Sequence, residues 1–213
     1  MAAKIDRLLA AMRWPLAALS LACVPGLIVG LYELAIYLAA LPTWVTPFAV
    51  GFVGYYVCDY LLFRRRFMGS AFSTLEHELT HAVMAWLCWR GVSGLKVTWS
   101  KGGHIQVHGG SNWLIDLGPY FFPTFSVAVA LTSLALPSRW AGVVELLLGV
   151  TLAYHLISTW RETHGKQTDL REAGKRFSVV FLPGAYLLWN GVIVAFAFGQ
   201  TWSFVSSAWR LYV

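Results

Sequence analysis

A chain of 213 residues would ordinarily mean one or two soluble domains, but 58% of these residues are hydrophobic, only 12% are charged and the mean hydropathy is +0.61. That balance excludes an ordinary soluble enzyme and predicts an all-α polytopic membrane protein, one membrane-embedded domain over residues 1–213 with about six transmembrane or membrane-embedded helices. A net charge of +6, with no basic patch interleaved with stacking aromatics, excludes a nucleic-acid partner and suits loops facing an anionic leaflet; eleven Trp and nine Tyr suit two interfacial belts.

Lys4, Arg7 and Arg13 precede an apolar run over residues 14–41. Signal-peptide cores are about 7 to 15 residues, so this longer run predicts a retained first helix with its N-terminus in the cytoplasm. Pro42 and Pro47 mark a turn, and a second helix over 48–63 ends at Arg64-Arg65-Arg66, which the positive-inside rule places in the cytoplasm. A third helix is predicted over 71–90. Residues 91–110 then alternate polar and apolar on either side of Lys101-Gly102-Gly103, the pattern of a β-hairpin.

The fourth helical segment, 112–136, carries Asp116, Gly118-Pro119 and Pro123 near its start, which predicts a kinked or broken first half beside a cavity. A fifth helix, 140–160, carries His155. The longest polar stretch, 161–176, leads to a sixth helix over 177–198, and an aromatic tail follows along the interface. Full crossing by the third helix would put the basic 161–176 stretch opposite Arg64–Arg66, whereas its return to the same side makes every basic cluster cytoplasmic. Cys23, Cys58 and Cys88 are isolated in apolar segments and read as small core residues rather than disulfides or metal ligands.

The third helix contains Glu76-His77-Glu78-Leu79-Thr80-His81, hence His-Glu-x-x-His. On a helix the two histidines lie about 6 Å apart along the axis and on one face, so both imidazoles reach one ion. Glu78 follows the first ligand, where in zinc hydrolases of this signature the carboxylate serves a metal-bound water as general base. Ionisable groups at this depth are costly without partners, which strengthens the reading of a metal site.

A catalytic zinc takes three protein ligands and keeps one position open. Two residues compete for the third. His155 lies about 10 Å from the Glu162 end of its helix and His77 about 9 Å from residue 71, so the two share a level if both ends lie at one face. Asp169, in the polar stretch before the last helix, reaches the metal if a short re-entrant turn lowers it. Its alternative is a helix N-terminal carboxylate after Thr168. The residues alone leave the two level.

In their order, the His77-Glu78-Leu79-Thr80-His81-Ala82 helix, Gly102-Gly103 in a following hairpin, Gly118-Pro119 opening the next segment and a late aspartate resemble the site-2 protease family of intramembrane zinc metalloproteases, particularly its short bacterial members. The resemblance implies Zn2+ held by His77, His81 and Asp169, and it ranks Asp169 above His155. Phe122 stands where the family has an asparagine three residues after the proline, which leaves Asn112 as the candidate amide. Asp169 sits in Gln167-Thr168-Asp169-Leu170 where the family has Leu before and Gly after.

The expected activity is hydrolysis of a peptide bond in or near the lipid bilayer, with Glu78 as general base and a membrane protein or peptide as substrate. The hairpin would receive an unwound substrate segment by strand addition, with Gly103, His104 and Asn112 as substrate-binding residues. The expected location is a bacterial inner membrane. The alternative is a non-catalytic membrane protein that binds or regulates a partner, its zinc closed by His104 or His108 as fourth ligand. Glu78 argues against it, because a structural site needs no carboxylate aimed at water.

Overall fold

The computed structural model describes residues 1–63, 69–98, 102–163, 167–210 and 212. Arg64–Arg66 and Lys166, on which the charge-based topology rests, lie outside the described residues.

Helix α1 spans Ala2–Ala39 and starts well before the expected residue 14, because the basic N-terminal turns are themselves good helix formers and continue it. At about 57 Å it exceeds the ~30 Å hydrocarbon core, so part of it lies outside the core or the helix is steeply tilted. Helix α2, Pro42–Cys58, starts at the proline rather than after it, since a first-turn residue needs no N–H donor, and runs into a π-helical turn at Asp59–Phe63. Gly51 of α2 and Gly149 of α6 (Ala141–Glu162) let these two backbones touch: a methyl on either would strike the Leu146 or Phe48 carbonyl.

The motif helix α3, Gly69–Leu87, is central, touching the hairpin, the broken segment and α6. Trp89 in the left-handed region closes it, and the Arg90 N–H reaches back to the Ala85 carbonyl at 2.8 Å. Strands β1 (Val92–Thr98) and β2 (Gly102–Val107) form the expected hairpin, antiparallel from Val92↔Val107 to Thr98↔Gly102, with an irregularity between Ser93 and Lys96.

The next segment is broken as expected. Helix α4 (Trp113–Leu117), a 3-10 turn (Gly118–Tyr120) and α5 (Thr124–Ser133) are bent by 81°. Pro119 and Pro123 lack the N–H groups a continuous helix would use. Asn112 caps α4 by accepting from the Leu114 and Ile115 N–H groups. After α6 come the short α7 (Thr168–Glu172), α8 (Lys175–Ala197) and α9 (Thr201–Arg210). The tail is thus helical, and it packs Phe204, Ser207 and Ala208 inward against α1 and α8.

Three helical segments are long and apolar enough to cross a membrane, α1, Ser138–Glu162 and α8, or up to four if the bent pair is one span. Among the described residues α2, at 17 residues, and α3, with its ionisable side chains, fall outside that set, so length and apolarity do not reach the expected six. The core beneath the site joins Met84, Ala85 and Cys88 of α3 to Trp113, Ile115, Phe177 and Phe181. The Trp113 ring meets Phe177 and Phe181 edge-on, each at 5.2 Å.

Candidate metal centre

The four-residue spacing on α3 does what helical geometry requires: His77 and His81 sit on one face with their Nε2 atoms 3.2 Å apart. Asp169, from the first turn of α7, brings Oδ2 to 3.2 Å from His77 Nε2 and 3.5 Å from His81 Nε2. Bonds of 2.0–2.1 Å at tetrahedral angles put ligand atoms about 3.3 Å apart, so the three separations match those of zinc ligands around one centre. Among the described residues these are the three His, Cys, Asp or Glu side chains that gather in this way.

The surroundings orient the set. His81 Nδ1 lies 2.8 Å from the Ile115 carbonyl; a carbonyl only accepts, so Nδ1 carries the proton and Nε2 keeps its lone pair for a metal. On the other side the Tyr120 hydroxyl donates to Asp169 Oδ2 at 3.1 Å. Burial alone would raise the Asp169 carboxyl, but the His77 and His81 rings beside its Oδ2 outweigh burial and hold the group well below the usual carboxylate range.

Glu78 is buried and lines the same cleft of about 770 Å3 as His77, His81 and Asp169. Gly103 of β2 packs directly on it: a methyl there would lie 2.7 Å from Glu78 Oε1 and from Thr74 Cγ2, and closer still to Glu78 Cγ. The hairpin can cover the carboxylate because the residue over it has no side chain. Gly118 serves a similar close approach, since a methyl there would stand 2.6 Å from Met84 Cγ.

The other expected residues fall as follows. His155 is fully buried on α6 with Nδ1 3.2 Å from Glu76 Oε2, and the structure does not bring it to the His77–His81–Asp169 group. It faces Glu76, which points about 100° around α3 from His77. His104 is exposed and lines the cleft, whereas His108 pairs with the Ser93 hydroxyl at 2.8 Å. Asn112 lies outside the cleft-lining set, its Oδ1 capping α4 and its Nδ2 donating to Asp6 at 2.9 Å.

Sequence reasoning missed Glu76 and Tyr120. Glu76 Oε1 accepts from the Phe125 N–H at 3.1 Å, holding the start of α5 against α3. The only signal for Tyr120 was its place directly after Gly118-Pro119.

Residues 34–167, more than half of the chain, match the family described as Peptidase M50B-like. The match takes in α3, the hairpin, the broken segment and α6, and stops just before Asp169. No curated protein and no solved structure matches the chain.

Proposed function

Because this chain belongs to the site-2 protease (M50) family, we propose that it is an intramembrane zinc metalloprotease that hydrolyses a peptide bond of a membrane protein or peptide, in or near the bilayer. It is an integral membrane protein with candidate membrane-crossing helices. The proposed setting is a bacterial inner membrane with the N-terminus in the cytoplasm, and the domain is the whole of residues 1–213, with about six helices lying in or across the bilayer.

The observation that carries the reading is the convergence of His77 Nε2, His81 Nε2 and Asp169 Oδ2 at 3.2–3.5 Å, at the wall of a cleft that Glu78 also lines. When bound, zinc would supply a Lewis acid that lowers the pKa of water and polarises the scissile carbonyl. The two imidazoles present Nε2, the His81 ring being held in that tautomer by Ile115. Asp169 adds a negative ligand already ionised at neutral pH. Glu78, confined by Gly103 and Thr74, takes the proton of the attacking water and returns it to the leaving amine.

The substrate segment must be unwound locally, because a helical amide is hydrogen-bonded and shielded. It lies along the hairpin, with Gly103 and His104 at the cleft wall. Asn112 supports the floor through α4.

The test is zinc content and cleavage of a membrane peptide by detergent-purified wild type, Glu78→Ala, Asp169→Ala and His155→Ala. Wild type, Glu78→Ala and His155→Ala are expected to hold about one zinc each and Asp169→Ala to lose it, with cleavage absent from Glu78→Ala. A wild type that retains no zinc under chelator-free conditions, or a Glu78→Ala that still cleaves, overturns the proposal.

A further inference from the structure

We propose that Tyr120 is a positioning residue for the metal site, its hydroxyl holding Asp169 by the oxygen that faces the two histidines. This rests on the metal-site reading above.

The hydroxyl donates to Asp169 Oδ2 at 3.1 Å, and that same oxygen lies 3.2 Å from His77 Nε2 and 3.5 Å from His81 Nε2. A carboxylate oxygen has two lone pairs, so one can face the ion while the other accepts from Tyr120. The Tyr120 side chain is 2% exposed and its ring stands edge-on to His77, centroids 5.4 Å apart at 89°, so it touches two of the three prospective ligands at once.

The need for such a tether follows from where the ligands sit. His77 and His81 share a 19-residue helix, whereas Asp169 rides on a helix of five residues, too short to hold itself in place. Tyr120 in contrast stands on a braced backbone. The Phe121 and Phe122 N–H groups bond back to the Gly118 carbonyl at 3.2 and 2.9 Å, the Thr159 hydroxyl of α6 donates to the Pro119 carbonyl at 3.5 Å, and Gly118 lies against Met84 of α3. The hydroxyl therefore transmits the rigidity of the break to the least supported ligand. Held by one oxygen, Asp169 fills one coordination position and leaves the fourth open, as a catalytic site requires.

The broken segment thus braces the site from both sides, with the Ile115 carbonyl orienting His81 from before the break and the Tyr120 hydroxyl holding Asp169 from its 3-10 turn.

Tyr120→Phe keeps the ring and removes only the hydroxyl. On the purified full chain, three quantities decide: zinc affinity by chelator competition, the visible spectrum with Co2+ in place of zinc, and the melting temperature of the metal-free protein. The expected result is a zinc affinity lower by about 10- to 100-fold, an altered Co2+ spectrum and unchanged metal-free melting. Unchanged affinity overturns the proposal. So does an affinity loss with the wild-type Co2+ spectrum, or one matched by a fall in metal-free melting, since a merely structural role would give those. Asp169→Asn, measured alongside, separates the two readings. If it binds zinc as wild type does, the metal site itself is wrong; if it does not and Tyr120→Phe is neutral, only the role of Tyr120 falls.

Discussion

His81 points Nδ1 at the Ile115 carbonyl, 2.8 Å away, and so turns Nε2 towards His77 and Asp169. A main-chain acceptor cannot be lost by ordinary substitution, which fixes the tautomer at the level of the fold. Protons then compete with zinc only at the Nε2 atoms and at Asp169. The Asp169 carboxyl is depressed, so any stability it confers on the metal-free chain is full above the unfolded value of about 3.9 and is lost as pH falls through the lower folded value. Zinc affinity should accordingly weaken as pH drops and protons compete for the two Nε2 atoms, with Asp169 still ionised. Zinc affinity by chelator competition, measured from about pH 8 to about pH 5, checks this, and an affinity that does not weaken across that range would count against ligation by groups that protons can occupy.

Glu78→Gln keeps size and hydrogen-bonding capacity while removing the base. Cleavage should fall by at least about 100- to 10,000-fold with zinc content unchanged. Rates and metal content measured on the same preparation check it. Loss of zinc from this variant would mean that Glu78 is a ligand rather than the base.

The motif helix was legible because its chemistry is local: His77, Glu78 and His81 depend only on helical spacing. The break at Gly118-Pro119 and Pro123 was legible for the same reason, since proline alone removes the helix's donors. What sequence could not give was azimuth across helices. The spacing along α6 says how far His155 lies from the helix end, yet which face of α6 meets which face of α3 follows from the Gly51–Gly149 crossing and from Glu76, neither visible in a linear pattern. Asn112 looked like a free amide, but an asparagine just before a helix is spent on the cap as readily as on a substrate, and here both its amide atoms are engaged. Tyr120 was hidden among Phe121 and Phe122, because only a three-dimensional neighbour, Asp169, distinguishes its hydroxyl from aromatic filling.

The Glu76–His155 pair is almost fully buried, at 3% and 1% side-chain exposure. His155→Ala leaves Glu76 Oε2 without that partner, at a cost of about 1–3 kcal/mol, while the His77–His81–Asp169 group is untouched. The expected outcome is a lower melting temperature with wild-type zinc stoichiometry in the fraction that stays folded. Stoichiometric loss of zinc from monodisperse protein would instead make His155 part of the coordination set.

Gly103 gives the sharpest separation of base from metal. A methyl at this position meets Glu78 Cγ, Glu78 Oε1 and Thr74 Cγ2 inside van der Waals contact, so either Glu78 must turn or β2 must lift. The three metal-facing atoms belong to His77, His81 and Asp169, none of which the methyl approaches most closely. Gly103→Ala should therefore lower the cleavage rate by about 10-fold or more, as misplacement of a catalytic group by a fraction of an ångström does, while zinc affinity stays at the wild-type value. A KM-against-kcat comparison adds a second discrimination. Displacement of Glu78 lowers kcat, whereas a lifted strand that no longer receives substrate raises KM. Wild-type cleavage by Gly103→Ala would show that Glu78 has room the packing does not indicate, and that the hairpin does not hold the base in place.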